Sequence, residues 1–202
     1  MTDESHTADG RFGEVVEASI THLLVQAHAL YEAPPLGALV RAGDVYGVVD
    51  AIETGSLDPG RRVIARGADA ADEAALHAAH PQLEHLLHTS VGVTVTGFAA
   101  PDGVRHHLPP RPPRVHSFAH ACDASAARAF ATGDGGRFGF VSLLLAGPGG
   151  DEVLAAALRA LAAGFDDRRG FLLTAARAVA AEIPAETGRV NALVRRLHLV
   201  EA

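Results

Sequence analysis

The sequence predicts an α+β fold: a small N-terminal β-barrel with a helical insertion, followed by a C-terminal helical region. Three observations carry that expectation. The first half is a chain of short β-branched runs separated by close-spaced turn signals, the pattern of a small barrel. Apolar residues switch to helical spacing over 70–89, and helical spacing takes over again from about residue 124. A proline stretch, "HHLPPRPPRVH" (106–116), lies near the seam. The expected organisation is a disordered tail over 1–9, a β domain over 10–120 with its helical insertion at 70–89, and a helical domain over 121–202.

Taken in order, "GEVVEASITHLLVQAHAL" (13–30) reads as two strands broken near Ala18 and Ser19. Pro34 and Pro35 stop the second, "GALVRA" is a short strand, and Gly43-Asp44 turns the chain into "VYGVVDAIE". Gly47 inside that strand predicts a bulge or a close backbone approach. "LDPGRRVIARG" supplies a turn and another short strand. In the insertion, Leu76, Leu83, Leu86 and Leu87 form the apolar stripe, with Pro81 placed to open a second helix. "VGVTVTGF" (91–98) alternates with period two, "VRHHL" follows a turn at Pro101-Asp102-Gly103, and "RVHSFAHAC" resumes a strand. Five helical segments complete the chain, separated by Gly147-Pro148-Gly149-Gly150 and Ile183-Pro184; "FVSLLLAG" is read as a helix from its neighbours.

Composition excludes several function classes. All 17 basic residues are arginine, so neither the phosphate-binding lysine of a Walker A loop nor a Schiff-base lysine can be supplied. A net charge of −7 argues against general nucleic-acid binding. One cysteine, Cys122, rules out an internal disulfide. With no apolar run near bilayer length and a polar, acidic start, no membrane association is expected and the expected location is cytoplasmic.

The stretch from Phe12 to about Gly67, with its "GEVVEAS", "GALV" and "VYGVVDAI" strands and its "PGRR" turn, resembles the HAS-barrel. That small barrel is shared by HerA-type DNA translocases and the catalytic head of rotary ATP synthases. With "HPQLEHLLHTSVGVTVTGF" and "LPPRPPRVH", the chain looks like the stand-alone bacterial HAS-barrel proteins, which lack the ATPase core. The resemblance implies a non-catalytic assembly or adaptor module, associated with a HerA-like ATPase, its nuclease partner or another DNA-processing protein, and open to homo-oligomer formation. It transfers no catalytic residues and implies no cofactor.

Two residue sets compete for a direct role. Arg61, Arg62, Arg66, Arg105, Arg111 and Arg114 fall in the barrel or its exit, and guanidinium forks bind carboxylates bidentately, which suits an acidic protein partner. On a helix, Glu84, His85 and His88 could converge on a metal, and with His77 and His80 they define the alternative, a small metal-dependent hydrolase. A nucleic-acid-binding barrel is the third reading, weakened by two tyrosines and no tryptophan for stacking. Cys122 with His120, and His116 with His120, share strand faces but read as structural side chains; Ser142 lacks a nucleophile elbow. "GDGGR" and "GPGGDE" read as helix punctuation, since Asp151 and Glu152 would repel phosphate. The proline stretch reads as a stiff connector towards the helical half, with Arg111 and Arg114 as its contact points.

Overall fold

The computed structural model describes residues 10–58, 60 and 63–199. The expected tail at 1–9 and the arginines Arg61 and Arg62 lie outside them, as do the side chains of Glu73, Leu83 and Glu84. Among the described residues, seven antiparallel strands form one sheet: β1 (Arg11–Ala18), β2 (His22–Ala27), β3 (Leu39–Ala42), β4 (Val45–Ser56), β5 (Leu87–Ala100), β6 (Gly103–Arg105) and β7 (Phe118–Ala121). The order β2-β1-β7-β3-β4-β5-β6, with β2 also pairing β5, closes six strands into a ring and leaves β6 on the outside of β5. The predicted α+β class and N-terminal barrel are therefore observed. Closure removes the free edges that would otherwise invite strand addition, apart from three-residue β6.

Alternation drives the closure. Val15, Val25, Val40, Val45, Val49, Val91, Val93 and Val95 point inward with Leu23, Ala42 and Ala119 to form a dry interior. β4 is also buried on its other face, where Tyr46 and Val48 join the helical core. Its sequence "VYGVV" is continuous rather than alternating because both faces are covered. Gly47 serves the close approach expected of it: a Cβ there would stand 2.4 Å from Val93 Cγ1, and the β4–β5 register shifts at this point.

The helical half packs on the outer wall of β3, β4 and β5. It comprises α2 (Ala124–Ala131), α3 (Gly133–Gly136), α4 (Phe140–Ala146), α5 (Gly150–Ala162), α6 (Arg168–Glu182) and α7 (Thr187–Arg196). The segment 140–146 is thus helical, as its neighbours suggested. α3 is a left-handed turn, with Asp134 and Gly135 at φ 53° and 70°. α5 is the centre: Val153 to Leu158 are six consecutive buried residues, a helix enclosed on all sides. Asp123 and Asp167 cap α2 and α6 by accepting the N–H groups of Ala126 and Gly170 at 2.7 and 2.8 Å. Asp151 and Glu152, in the first turn of α5, bind Arg189 and Arg196 of α7 and fasten the last helix.

Two local expectations are corrected. The helical insertion does not reach 89: α1 covers Glu73–Ala79, a 3₁₀ turn covers Pro81–His85, and β5 already starts at Leu87. Pairing of Leu87 with Ser56 and of His88 with Gly55 recruits this segment into the sheet and overrides its helical spacing. Among the described residues of 57–67 the expected short strand does not form; residues 63–67 have no regular structure.

Candidate functional site

The proline stretch departs from the expected path. It links β6 to β7, strands on opposite sides of the ring, and therefore bridges two walls of the barrel rather than leading to the helices. Leu108 packs against the barrel core and Pro109 is buried, which anchors the crossing. His106 and His107 diverge, as adjacent residues at a strand end should. His106 is buried between Phe130 and Phe140, at 4.8 and 5.0 Å between ring centroids, and its Nε2 donates to the Phe130 carbonyl at 2.8 Å. Its Nδ1 is buried with no partner among the described residues. Burial pushes the His106 pKa below the ordinary imidazole value, opposed by the Phe130 carbonyl and the Asp134 carboxylate.

Beyond Pro109 the connector is exposed. Arg111 and Arg114 extend into solvent, with no ion-pair partner among the described residues. Val115 is 50% exposed and Phe118, at the start of β7, 49%. Arg11 lies over the Phe118 ring at 4.6 Å, and His28 meets it edge-on at 6.2 Å. His116 Nδ1 stands 3.1 Å from Glu14. Arg111, Arg114, Val115 and Phe118 are thus all exposed along the connector and the start of β7.

Of the other sequence-selected arginines, Arg66 is exposed in the irregular segment after β4. Arg105 is engaged internally, paired with Asp102 and 3.7 Å from Asp134, so it is not a free contact point. The histidine set is dispersed. His77 lies on α1, His80 caps it, His85 ends the 3₁₀ turn and His88 belongs to β5. The helical spacing on which convergence of Glu84, His85 and His88 depended is absent. Among the described residues, no group of three or more His, Cys, Asp or Glu side chains is arranged to hold a metal ion.

Cys122 follows β7, and burial pushes its thiol up to about 11, which keeps it protonated and poorly nucleophilic at neutral pH. Ser142 donates to the Gly139 carbonyl at 3.0 Å. His120 occupies β7 opposite Arg11 and Arg41.

Sequence reasoning missed a polar network on the outer barrel wall. Asp50 of β4 is almost wholly buried, its side chain 2% exposed. It accepts a hydrogen bond from Thr94 Oγ1 of β5 at 2.5 Å, and His22 Nε2 of β2 lies 3.1 Å away. Asp50 reaches across β5 because Gly92 lies beneath it: a Cβ at Gly92 would stand 2.6 Å from Asp50 Oδ1. His22 and Thr94 are a register pair, so three adjacent strands converge on one carboxylate. Separated by 28 and 44 positions, Asp50 and its partners form no linear motif; the only sequence signal is the small residue in "VGVTVT".

His22 and Thr94 line a cleft of about 570 Å³, closed by Leu108 of the connector and by Leu143 and Ala146 of α4. A second cleft, about 490 Å³, lies between α2 and α6 against Phe138, Phe165 and Phe171. There Arg128 is already over Phe165 and 3.9 Å from Asp166.

Fold and surface together define an α+β protein built on a closed six-stranded barrel, with exposed arginine and apolar side chains on the connector and the start of β7. No family model and no curated protein matches the chain. No helix among the described residues is long and apolar enough to cross a membrane.

Proposed function

We propose that this chain is a HAS-barrel-like assembly or adaptor module that binds an acidic protein partner, a HerA-like ATPase or a DNA-processing protein associated with one. The observation that carries the reading is the exposure of Arg111, Arg114, Val115 and Phe118 along the proline connector and the start of β7. Arginine and aromatic side chains are the residues enriched where protein interfaces concentrate their binding energy. Prolines fix the connector before binding, so little conformational entropy is lost when a partner docks. The closed antiparallel barrel agrees with the barrel architecture that the resemblance implies.

The test is affinity capture from the native host with the wild-type chain and with Arg111→Glu/Arg114→Glu, followed by mass spectrometry. An ATPase of the HerA class or its nuclease partner should be enriched by the wild type and lost, by tenfold or more, with the double variant. Recovery of neither protein, or equal recovery with the variant, would overturn the reading.

A further inference from the structure

We infer that the cleft beside the barrel is a binding site for a small apolar alcohol, of the phenol type, which donates its hydroxyl proton to His22 Nδ1. Three features support this assignment independently of the adaptor reading.

The first is the direction of the His22–Asp50 hydrogen bond. Asp50 accepts from both neighbours, Thr94 Oγ1 at 2.5 Å and His22 Nε2 at 3.1 Å. In the neutral imidazole a carboxylate in that position holds the proton on Nε2 and leaves the lone pair on Nδ1. That nitrogen has no hydrogen-bond partner among the described residues. It is a held acceptor that awaits a donor.

The second is exposure. A network that merely stapled three strands would enclose its imidazole, as His106 is enclosed elsewhere in this protein. Here the carboxylate is 2% exposed while the His22 side chain is 40% exposed and lines the cleft. The arrangement buries the orienting group and presents the oriented one, which is how binding and catalytic histidines are commonly held.

The third is the lining. Leu108, Leu143, Ala146 and Pro148 supply apolar walls, and about 570 Å³ is in the range of ordinary ligand pockets. Among the described residues no arginine lines the cleft, and the carboxylate in contact with His22 is that of Asp50. A carboxylate or phosphate ligand would meet that charge without a guanidinium to offset it. A neutral hydroxyl on an apolar ring satisfies Nδ1 and fills the walls without such a penalty.

The probe is 1-naphthol, with 1-methylnaphthalene as the isostere lacking the donor and 1-naphthoate as the anionic arm. Binding is followed by nuclear magnetic resonance on the full chain, observing the His22 ring nitrogens and the Leu108 and Leu143 methyl groups. 1-Naphthol should shift these signals saturably, with a dissociation constant on the order of 1 mM or below for so small a ligand. It should bind about tenfold or more tightly than 1-methylnaphthalene, because a ligand that covers the Nδ1 acceptor without pairing it strips its water at a cost. Leu143→Trp should abolish the shifts by filling the cleft, and Ala146→Trp, at an exposed position that leaves the core untouched, provides the same block if the first variant fails to fold. Equal binding of 1-methylnaphthalene, or tighter binding of 1-naphthoate, would overturn the ligand class. Absence of saturable shifts, or unchanged binding in Ala146→Trp, would overturn the site.

Discussion

The barrel interior and the helical core differ in how they fill space. Eight valines, one leucine and two alanines make up the buried barrel cluster, with no buried aromatic among the described residues. The helical core instead assembles Phe130, Phe138, Phe140 and Phe171 around leucines, with Ala155 and Ala157 on the central helix. Strands only about 5 Å apart, closed into a ring of six, enclose a narrow space that β-branched side chains fill from every wall. Helices pack 8–10 Å apart and leave irregular gaps that need large rings in some places and small residues at close crossings. One chain therefore holds two dry cores: a narrow one made by repetition, and a wider one made by complementary shapes.

Truncation should expose that difference most strongly. Phe140→Ala removes a ring fully buried against Phe130, Phe138 and His106, and should cost about 3–5 kcal/mol in denaturant unfolding. Val93→Ala removes two methyl groups from the barrel and should cost about 2 kcal/mol. Equal costs would mean that the two cores are not packed as differently as their compositions imply.

Acid should act on the helical side of the seam. His106 is buried with its pKa lowered, chiefly by desolvation, so the unfolded chain binds its proton more readily than the folded one. Stability should be fully present above the ordinary imidazole value of about 6.5 and decline as pH falls from there towards the folded-state value, by about 1.4 kcal/mol per unit of lowering. Thermal unfolding across this range, repeated with His106→Gln, checks the sign: the variant should show a flatter profile.

Helix caps should yield the smallest effects and separate the core from the insertion. Asp123→Ala removes the cap of α2, whose Ala127, Phe130 and Ala131 are buried, and should lower global stability by about 1 kcal/mol. Asp72→Ala removes the same kind of cap from α1, whose described side chains are exposed or half-buried, and should change local amide exchange while leaving Tm unaltered.

Much of the fold was legible because periodicity reports burial directly. Alternation marked β5, and the helical stripe marked α5 and α7, including Leu193 and Leu197 on the buried face of the last helix. Leu86 and Leu87 misled, because their helical spacing yielded to pairing of Leu87 with Ser56 of β4 and of the Leu86 carbonyl with the Leu57 N–H. The site was legible only in part. Arg111 and Arg114 could be selected from the proline context, whereas Arg105 looked equally free until Asp102 and Asp134 were found beside it.

By itself the sequence determined the class of architecture, the exclusion of lysine-dependent chemistry and the stiffness of the connector, because these follow from composition and local geometry. Only the tertiary structure decided that the ring closes through β2 and β5, that the connector bridges two barrel walls, and that His22, Asp50 and Thr94 meet over Gly92. These are facts of strand register, and register depends on which residues stand opposite one another across the sheet, which spacing along the chain does not encode.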